Sequence, residues 1–239
     1  MAILDRNFNL SQRMVQELGK SIICGEYAND SSLPTEAELC EKFGVSRSAV
    51  REAVKMLSAK GLISSKPRQG IRIQQEENWN IFDPDLLRWS LESNPSMNVL
   101  KEFLQMRIAI EPEAAALAAR NADPKHIEAI EIALERMRNA PEGTQEDLDS
   151  DIAFHVSILY ASKNRFYIRL RDFITTALRV SISHTTPIKG NHLAVVEDHA
   201  KVLAAIKNKN AERAKHSMLL LIDEALNFIE QELVTREKV

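Results

Sequence analysis

The chain has 239 residues, with 31 Lys and Arg against 34 Asp and Glu, 5% aromatic residues and seven glycines, a length that holds two small domains and a composition that favours helix over sheet. A net charge of −3 excludes a non-specific nucleoid binder, which would be strongly basic. No apolar run reaches the roughly 18 residues of a membrane-spanning helix and no signal-peptide core opens the chain, while Cys24 and Cys40 at apolar helix positions read as buried thiols in a reducing cytoplasm.

Ser11 to Gly25 carries Met14, Val15, Leu18, Ile22 and Ile23 at helical spacing, which predicts a first helix that braces the next two from behind. Residues 26 to 32 are a polar loop. Thr35 is a good N-cap with Glu36 and Glu38 behind it, Leu39 and Phe43 share an apolar face, and Gly44 permits a left-handed exit. Ser46 caps a second helix with Val50, Val54, Met56 and Leu57 inward and Arg47, Ser48, Arg51 and Lys55 on the other face. After Gly61, Leu62-Ile63 and Ile71-Arg72-Ile73 read as short strands joined by Lys66-Pro67-Arg68-Gln69-Gly70. Two helices about a tight turn, then a basic hairpin, make a winged helix-turn-helix.

Charge points the same way. Lys42 to Arg72 holds eight basic residues and one acid, Glu52, for a local charge of +7. A generic charge run is a solvated face, but this one coincides with the reading helix and the wing, where phosphates are met. Arg47 and Arg51 are expected to read bases or grip phosphates. Ser46 and Ser48 are expected to hold phosphates at the helix N-terminus, and Arg68 and Arg72 to reach the flanking backbone or minor groove. Thr35 and Gly70 complete the predicted DNA-binding set.

Leu33-Pro34, Glu38-Leu39, Phe43-Gly44-Val45-Ser46-Arg47, Val50-Arg51-Glu52-Ala53, Leu57, Gly61-Leu62-Ile63 and Gly70 together resemble the DNA-binding domain of the GntR family of bacterial transcription regulators. The resemblance implies a homodimer that places two recognition helices in successive major grooves of a pseudo-palindromic operator. Ala37 stands where many members carry an Arg operator contact, and Ser31-Ser32 where the family has a Gly.

A change of character begins near Glu76. Residues 1–75 carry +3 and the remainder −6. The predicted organisation is a winged helix-turn-helix at 1–75, a connector at 76–95 and an all-α domain at 96–235, a mainly α protein. In the connector, Trp79, Phe82, Leu86, Leu87 and Trp89 are too apolar for a free linker and are expected to pin the two domains together, with a short helix after Asp83-Pro84. Helices are predicted at Met97–Asn121 (with Pro112 a possible kink), from Pro124 to about Arg138, after the Thr144 cap through Leu159, from Asn164 to about Ser183, and over His192–Lys207 and Ala211–Gln231, with a loop at 184–190 around Pro187. Together they make an all-helical bundle of six or seven helices.

Within that bundle, Asp151 and His155 stand one turn apart on a helix face whose neighbours are apolar, and His199 lies beside Val195, Val202 and Ile206. A carboxylate with imidazoles suits Zn²⁺ or a similar divalent ion; on residues alone, an ordinary Asp–His pair and a solvated histidine remain the plainer alternative. Arg107 is the candidate to grip an anionic effector through two parallel hydrogen bonds, or else a partner of Glu111 one turn on. Arg179 is a second candidate, or a cation placed near its helix's negative end. His126, His184, His192 and His216 have no partners at ligand spacing and read as surface or packing residues.

Arg107, Glu111, Ala116-Leu117-Ala118-Ala119, Asp151 with His155, and Asp198-His199 with Ile206 resemble the FCD effector-binding domain of the FadR subgroup, and the connector WNIFDPDLLRWSLE looks closest to members that sense sugar acids such as galactonate. In that family the positions of Asp151, His155 and His199 are metal ligands, while the last histidine's place is Leu221 here. At most three protein ligands are therefore implied, with water or an effector carboxylate and hydroxyl completing the sphere. The expected function is a ligand-responsive repressor of a sugar-acid operon, not an enzyme, binding double-stranded DNA as a cytoplasmic homodimer away from membranes. The rival is a metal-dependent hydrolase fused to a DNA-binding module, in which the same three residues activate water.

Overall fold

A computed structural model describes residues 9–28, 31–66, 68–92, 97–185 and 192–236, and the chain divides into two compact units, Met1–Asn94 and Pro95–Val239. The predicted loop at 184–190 lies outside the described residues beyond Thr185.

In the first unit, local chemistry sets each helix end. Helix α1 (Leu10–Ile23) opens on a capping box in which Asn9 and Gln12 each accept a hydrogen bond from the other's backbone N–H. Helix α2 (Glu36–Phe43) opens on a second box, Thr35 with Glu38, and closes at Gly44 in the left-handed conformation, φ 61°. Helix α3 (Arg47–Ala59) is capped by Ser46, whose hydroxyl accepts from the N–H of Ala49. Strands β1 (Ile63–Lys66) and β2 (Gly70–Ile73) pair antiparallel, Ile63 opposite Ile73, and put Ile63, Ile71 and Ile73 into the core. The segment before α2 adds to the wing: Leu33 N–H donates to Ile71 O at 2.8 Å and Ile73 N–H to Ser31 O at 3.0 Å.

These pieces share one core of Met14, Leu18, Leu39, Val50, Leu57, Leu62 and Ile73. It also takes in Leu86 and Trp89 from helix α4 (Pro84–Glu92), which comes after a single 3-10 turn at Glu76–Asn78. Trp89 packs over Gly19 of α1, so near that a β-carbon there would sit 2.4 Å from its ring. Among the connector's other apolar residues, Phe82 is exposed. The cysteines depart from expectation. Cys24 is exposed because α1 ends one residue before it and it serves as the cap, and Cys40 is only half-buried on the short α2.

Gly61, at φ 77°, ends the turn after α3 with the carbonyl oxygen of Asn78 2.1 Å from where a β-carbon would stand. Gly61→Ala therefore combines left-handed strain of about 1–2 kcal/mol with a displaced backbone segment. We expect a loss of roughly 2–4 kcal/mol in chemical denaturation of the first unit's transition, within the range of strained core changes. A stability equal to the parent's would contradict this packing.

The second unit holds seven helices among the described residues: α5 (Met97–Asn121), α6 (Pro124–Asn139), α7 (Gln145–Ala161), α8 (Arg165–Arg169), α9 (Arg171–Thr185), α10 (His192–Lys207) and α11 (Ala211–Arg236). Helix α5 runs uninterrupted through buried Pro112 and packs against α11, α7 and α10. Its Ala114, Ala115, Ala116, Ala118 and Ala119 are all buried, and such small side chains let neighbouring backbones approach closely. The single helix expected after Asn164 is two. The N–H of Leu170 turns back to Tyr167 O at 3.0 Å and closes α8, which buries no residue, before α9 begins on α7. Neither proline nor glycine marks that break.

Candidate functional site

The first unit presents a basic face. Arg47, Arg51 and Lys55 recur every four residues on α3, one turn apart, and all three are exposed. Ser48 beside them is exposed and hydrogen-bonded to the Ser46 hydroxyl at 2.9 Å. The first turn of α3 has no acidic residue, so the positive end of the helix dipole is left uncompensated, as anion binding requires. On the wing, Lys66, Arg68 and Arg72 are exposed, Arg68 itself at φ 65° in the turn; Thr35 and Gly70 are exposed as well.

Two features qualify the charge count. Arg51 pairs with Glu36 of α2 at 3.0 Å, with the arginine side chain 67% exposed, a surface pair worth about 0–1 kcal/mol that a phosphate can replace. Lys60, counted among the basic block, does not belong to the DNA face. It sits at the buried end of α3, with its ammonium 2.7 Å from Asp83 and 2.9 Å from Asp85.

In the second unit, α5, α7 and α10 bring Arg107, Asp151, His155 and His199 together. Ligand atoms of Asp151, His155 and His199 lie within 4.8 Å of one another, and all three residues are buried. His199 Nδ1 is 2.7 Å from Val195 O, one turn back on α10, and donates to it; this leaves Nε2 with its lone pair toward Asp151 Oδ1, 3.6 Å away. Both of those atoms are buried without a hydrogen-bond partner. His155 Nε2 also approaches Asp151 Oδ1, at 3.2 Å, but out of line for a good hydrogen bond. Orphaned buried polar atoms are costly. Two imidazoles and a carboxylate converging on one point, two of the atoms unsatisfied, fit a divalent ion such as Zn²⁺.

Glu111 of α5 is the residue whose part the sequence understates. Its spacing marks it only as a partner for Arg107, which it is, at 2.5 Å. Its other oxygen lies 2.6 Å from His155 Nδ1 and fixes that ring so that Nε2 faces Asp151. The signal in the sequence is the spacing of Arg107 and Glu111 on a buried face. Arg107 is itself buried and stands 3.2 Å from His155 Nε2, so it borders the cluster even while paired. Burial raises the Glu111 carboxyl, but Arg107 and His155 outweigh it and bring its pKa to about 2. Burial pushes His155 down, and the Glu111 carboxylate more than reverses that.

Arg179 is elsewhere: exposed on α9 and paired with Asp149 at 2.9 Å. Leu221 is buried on α11. His126 completes the Asp123 cap of α6, His192 lies 3.3 Å from Asp147, and His216 is exposed; the side chain of His184 is outside the described residues. An open groove of about 380 Å³ where α6 meets α7, lined by Ile132, Arg136, Pro141 and Glu146, contains none of the predicted effector residues.

Comparison with known proteins places both units in described families. Residues 10–73 match the bacterial regulatory proteins of the gntR family, and residues 102–224 match the FCD domain. The chain is 34% identical to the HTH-type transcriptional regulator YieP of Escherichia coli, over 86% of this chain and 89% of that one. It is 31% identical to the galactonate operon transcriptional repressor of Escherichia coli, over 90% and 94% respectively. The Uxu operon regulator of Haemophilus influenzae is 29% identical over 86% and 76%. Among solved structures, the Lar protein that controls the agr system of Listeria monocytogenes shares the fold at a TM-score of 0.60, with 18% identity over 95% of this chain and 99% of that one. A GntR protein of Streptococcus agalactiae does so at 0.51, with 22% identity over 91% and 99%.

Proposed function

The chain belongs to the GntR family of bacterial regulatory proteins and carries an FCD domain behind its reader; from that premise we propose that it represses a sugar-acid catabolic operon and leaves its operator when a small carboxylate effector binds. It is a ligand-responsive, DNA-binding transcription regulator rather than an enzyme. No helix among the described residues is long and apolar enough to cross a membrane.

The observation that carries the proposal is the buried Asp151–His155–His199 cluster with Arg107 at its edge, in a chain that also holds a basic reader. A divalent ion held by those three residues would supply a Lewis-acidic anchor for an effector's carboxylate and hydroxyl. Around it, Glu111 keeps the His155 ring oriented, His199 is held in one tautomer by Val195, and Arg107 supplies the positive charge an acid group needs beside the anchor. The relatives that regulate galactonate and Uxu operons support sugar acids as the effector class. In the proposed assembly, a cytoplasmic homodimer sets two α3 helices in successive major grooves of a pseudo-palindromic operator, roughly one helical turn apart. An effector then favours a dimer with another reader spacing. Coupling of about 1–3 kcal/mol weakens operator binding by roughly 5–150-fold.

A thermal-shift screen of sugar acids, galactonate first, with and without Zn²⁺ tests this. We expect a rise in melting temperature that needs both acid and metal, equivalent to about 2.7 kcal/mol at a hundredfold excess over Kd. If no sugar acid shifts the metal-loaded protein, the effector class is wrong.

A further inference from the structure

Lys60 is out of place among the basic residues around it. It caps the C-terminal end of α3, is 9% exposed, and sends all three N–H donors into carboxylates: Asp83 Oδ1 at 2.7 Å, Asp83 Oδ2 at 2.8 Å and Asp85 Oδ2 at 2.9 Å. Its ammonium also lies 5.7 Å from the centre of the Trp89 ring. Each partner belongs to α4 or its cap. Asp83 Oδ1 accepts from the backbone N–H groups of Asp85 and Leu86, so the carboxylate that starts α4 is the one that grips Lys60. The backbone joins in, with Asn80 N–H donating to Lys60 O at 2.9 Å. Helix α4 is also tied to α1: Arg88, which pairs with Asp85 at 2.7 Å, and the Trp89 indole both donate to Gln16 Oε1, at 3.0 and 2.7 Å.

The geometry points to Lys60 as a positioning residue for operator reading: it fastens α3 to α4, so that a movement of α4 is delivered to the DNA-facing end of α3. The inference rests on α3 being the reading helix. A buried, fully satisfied ammonium between two carboxylates is not a phosphate contact, because extracting it would leave both acids uncompensated. Nor does burial of apolar surface at this end of α3 require it, since Leu57 and Leu62 are already fully buried there. Its distinctive property is connection. Helix α4 ends at Glu92 and α5, which carries Arg107 and Glu111, begins at Met97, so α4 is the helix of the first unit nearest in the chain to the buried cluster's own helices. Helix α3 is about 20 Å long, so a tilt of roughly 5° about its Lys60 end moves Arg47 by about 2 Å, enough to break a hydrogen bond.

Hydrogen–deuterium exchange of the full chain, with and without a duplex that the parent protein selects from a random library, tests the fastening. The parent is expected to show slowed exchange in residues 47–59 and also in 84–92 when DNA binds. Lys60→Met keeps the aliphatic stem and loses the donors; protection of 47–59 should persist while the response of 84–92 falls at least fivefold. Asp85→Asn, at a more exposed position that leaves Asp83 on both Lys60 and the α4 cap, is expected to lie between the two and decides the matter if Lys60→Met does not fold. An unchanged response of 84–92 in both variants, or none in the parent, overturns the inference. Absence of protection at 47–59 with DNA bound would fault α3 as the reading helix, a separate failure that takes this inference with it.

Discussion

Arg47→Ala and Arg51→Ala should each reduce operator affinity by roughly 5–150-fold, the cost of about 1–3 kcal/mol for a lost base or phosphate contact, and the double variant should bind specific DNA no better than random duplex. Both residues are exposed on the same face of α3, whose first turn opens with Arg47 and is free of acidic residues. The Glu36 partner of Arg51 is no obstacle, because an exposed pair gives up little when a phosphate takes its place. Fluorescence anisotropy against salt separates the roles: a phosphate contact lowers the salt slope by about one, whereas a base contact leaves the slope and relaxes sequence preference. Helical content and oligomeric state should not change. Parent-like operator affinity in both single variants would remove α3 from the DNA interface.

The second large effect concerns the buried cluster. His155→Ala and His199→Ala should each weaken Zn²⁺ binding by well over 100-fold, because removing a ligand costs more than the 10–100-fold typical of residues that only orient one. Glu111→Gln belongs to that milder class and should lose about 10–100-fold, since it touches His155 Nδ1 and none of the orphaned atoms. Calorimetric titration of metal into the metal-free protein reads both. Should Glu111→Gln prove as damaging as the histidine variants, the carboxylate is a ligand itself and the donor set must be redrawn. Arg179→Ala, by contrast, removes an exposed pair with Asp149 and should leave metal and effector binding within about twofold.

Much of this molecule can be read from short spans of chain. The capping pairs Asn9 with Gln12 and Thr35 with Glu38, the left-handed Gly44, the Ser46 cap and the periodic apolar residues of α1 and α3 are decided within a turn or two. They suffice to derive the winged reader and its basic face. The pairing of Asp151 with His155 is equally local, one helical turn on α7.

The features that needed the tertiary structure lie between elements. That His199 of α10 meets Asp151 of α7, and that Glu111 of α5 takes hold of His155, depends on three helices being packed side by side. In sequence Lys60 is one more cation of the DNA face, and only α4 places two carboxylates against it; Cys24 reads as buried, and only the early end of α1 exposes it. The break between α8 and α9 carries no local mark at all. The division has a physical origin: hydrogen-bonded caps and side-chain periodicity are set by neighbours a few residues away, while burial and the pairing of charges are set by whatever distant surface the chain folds against.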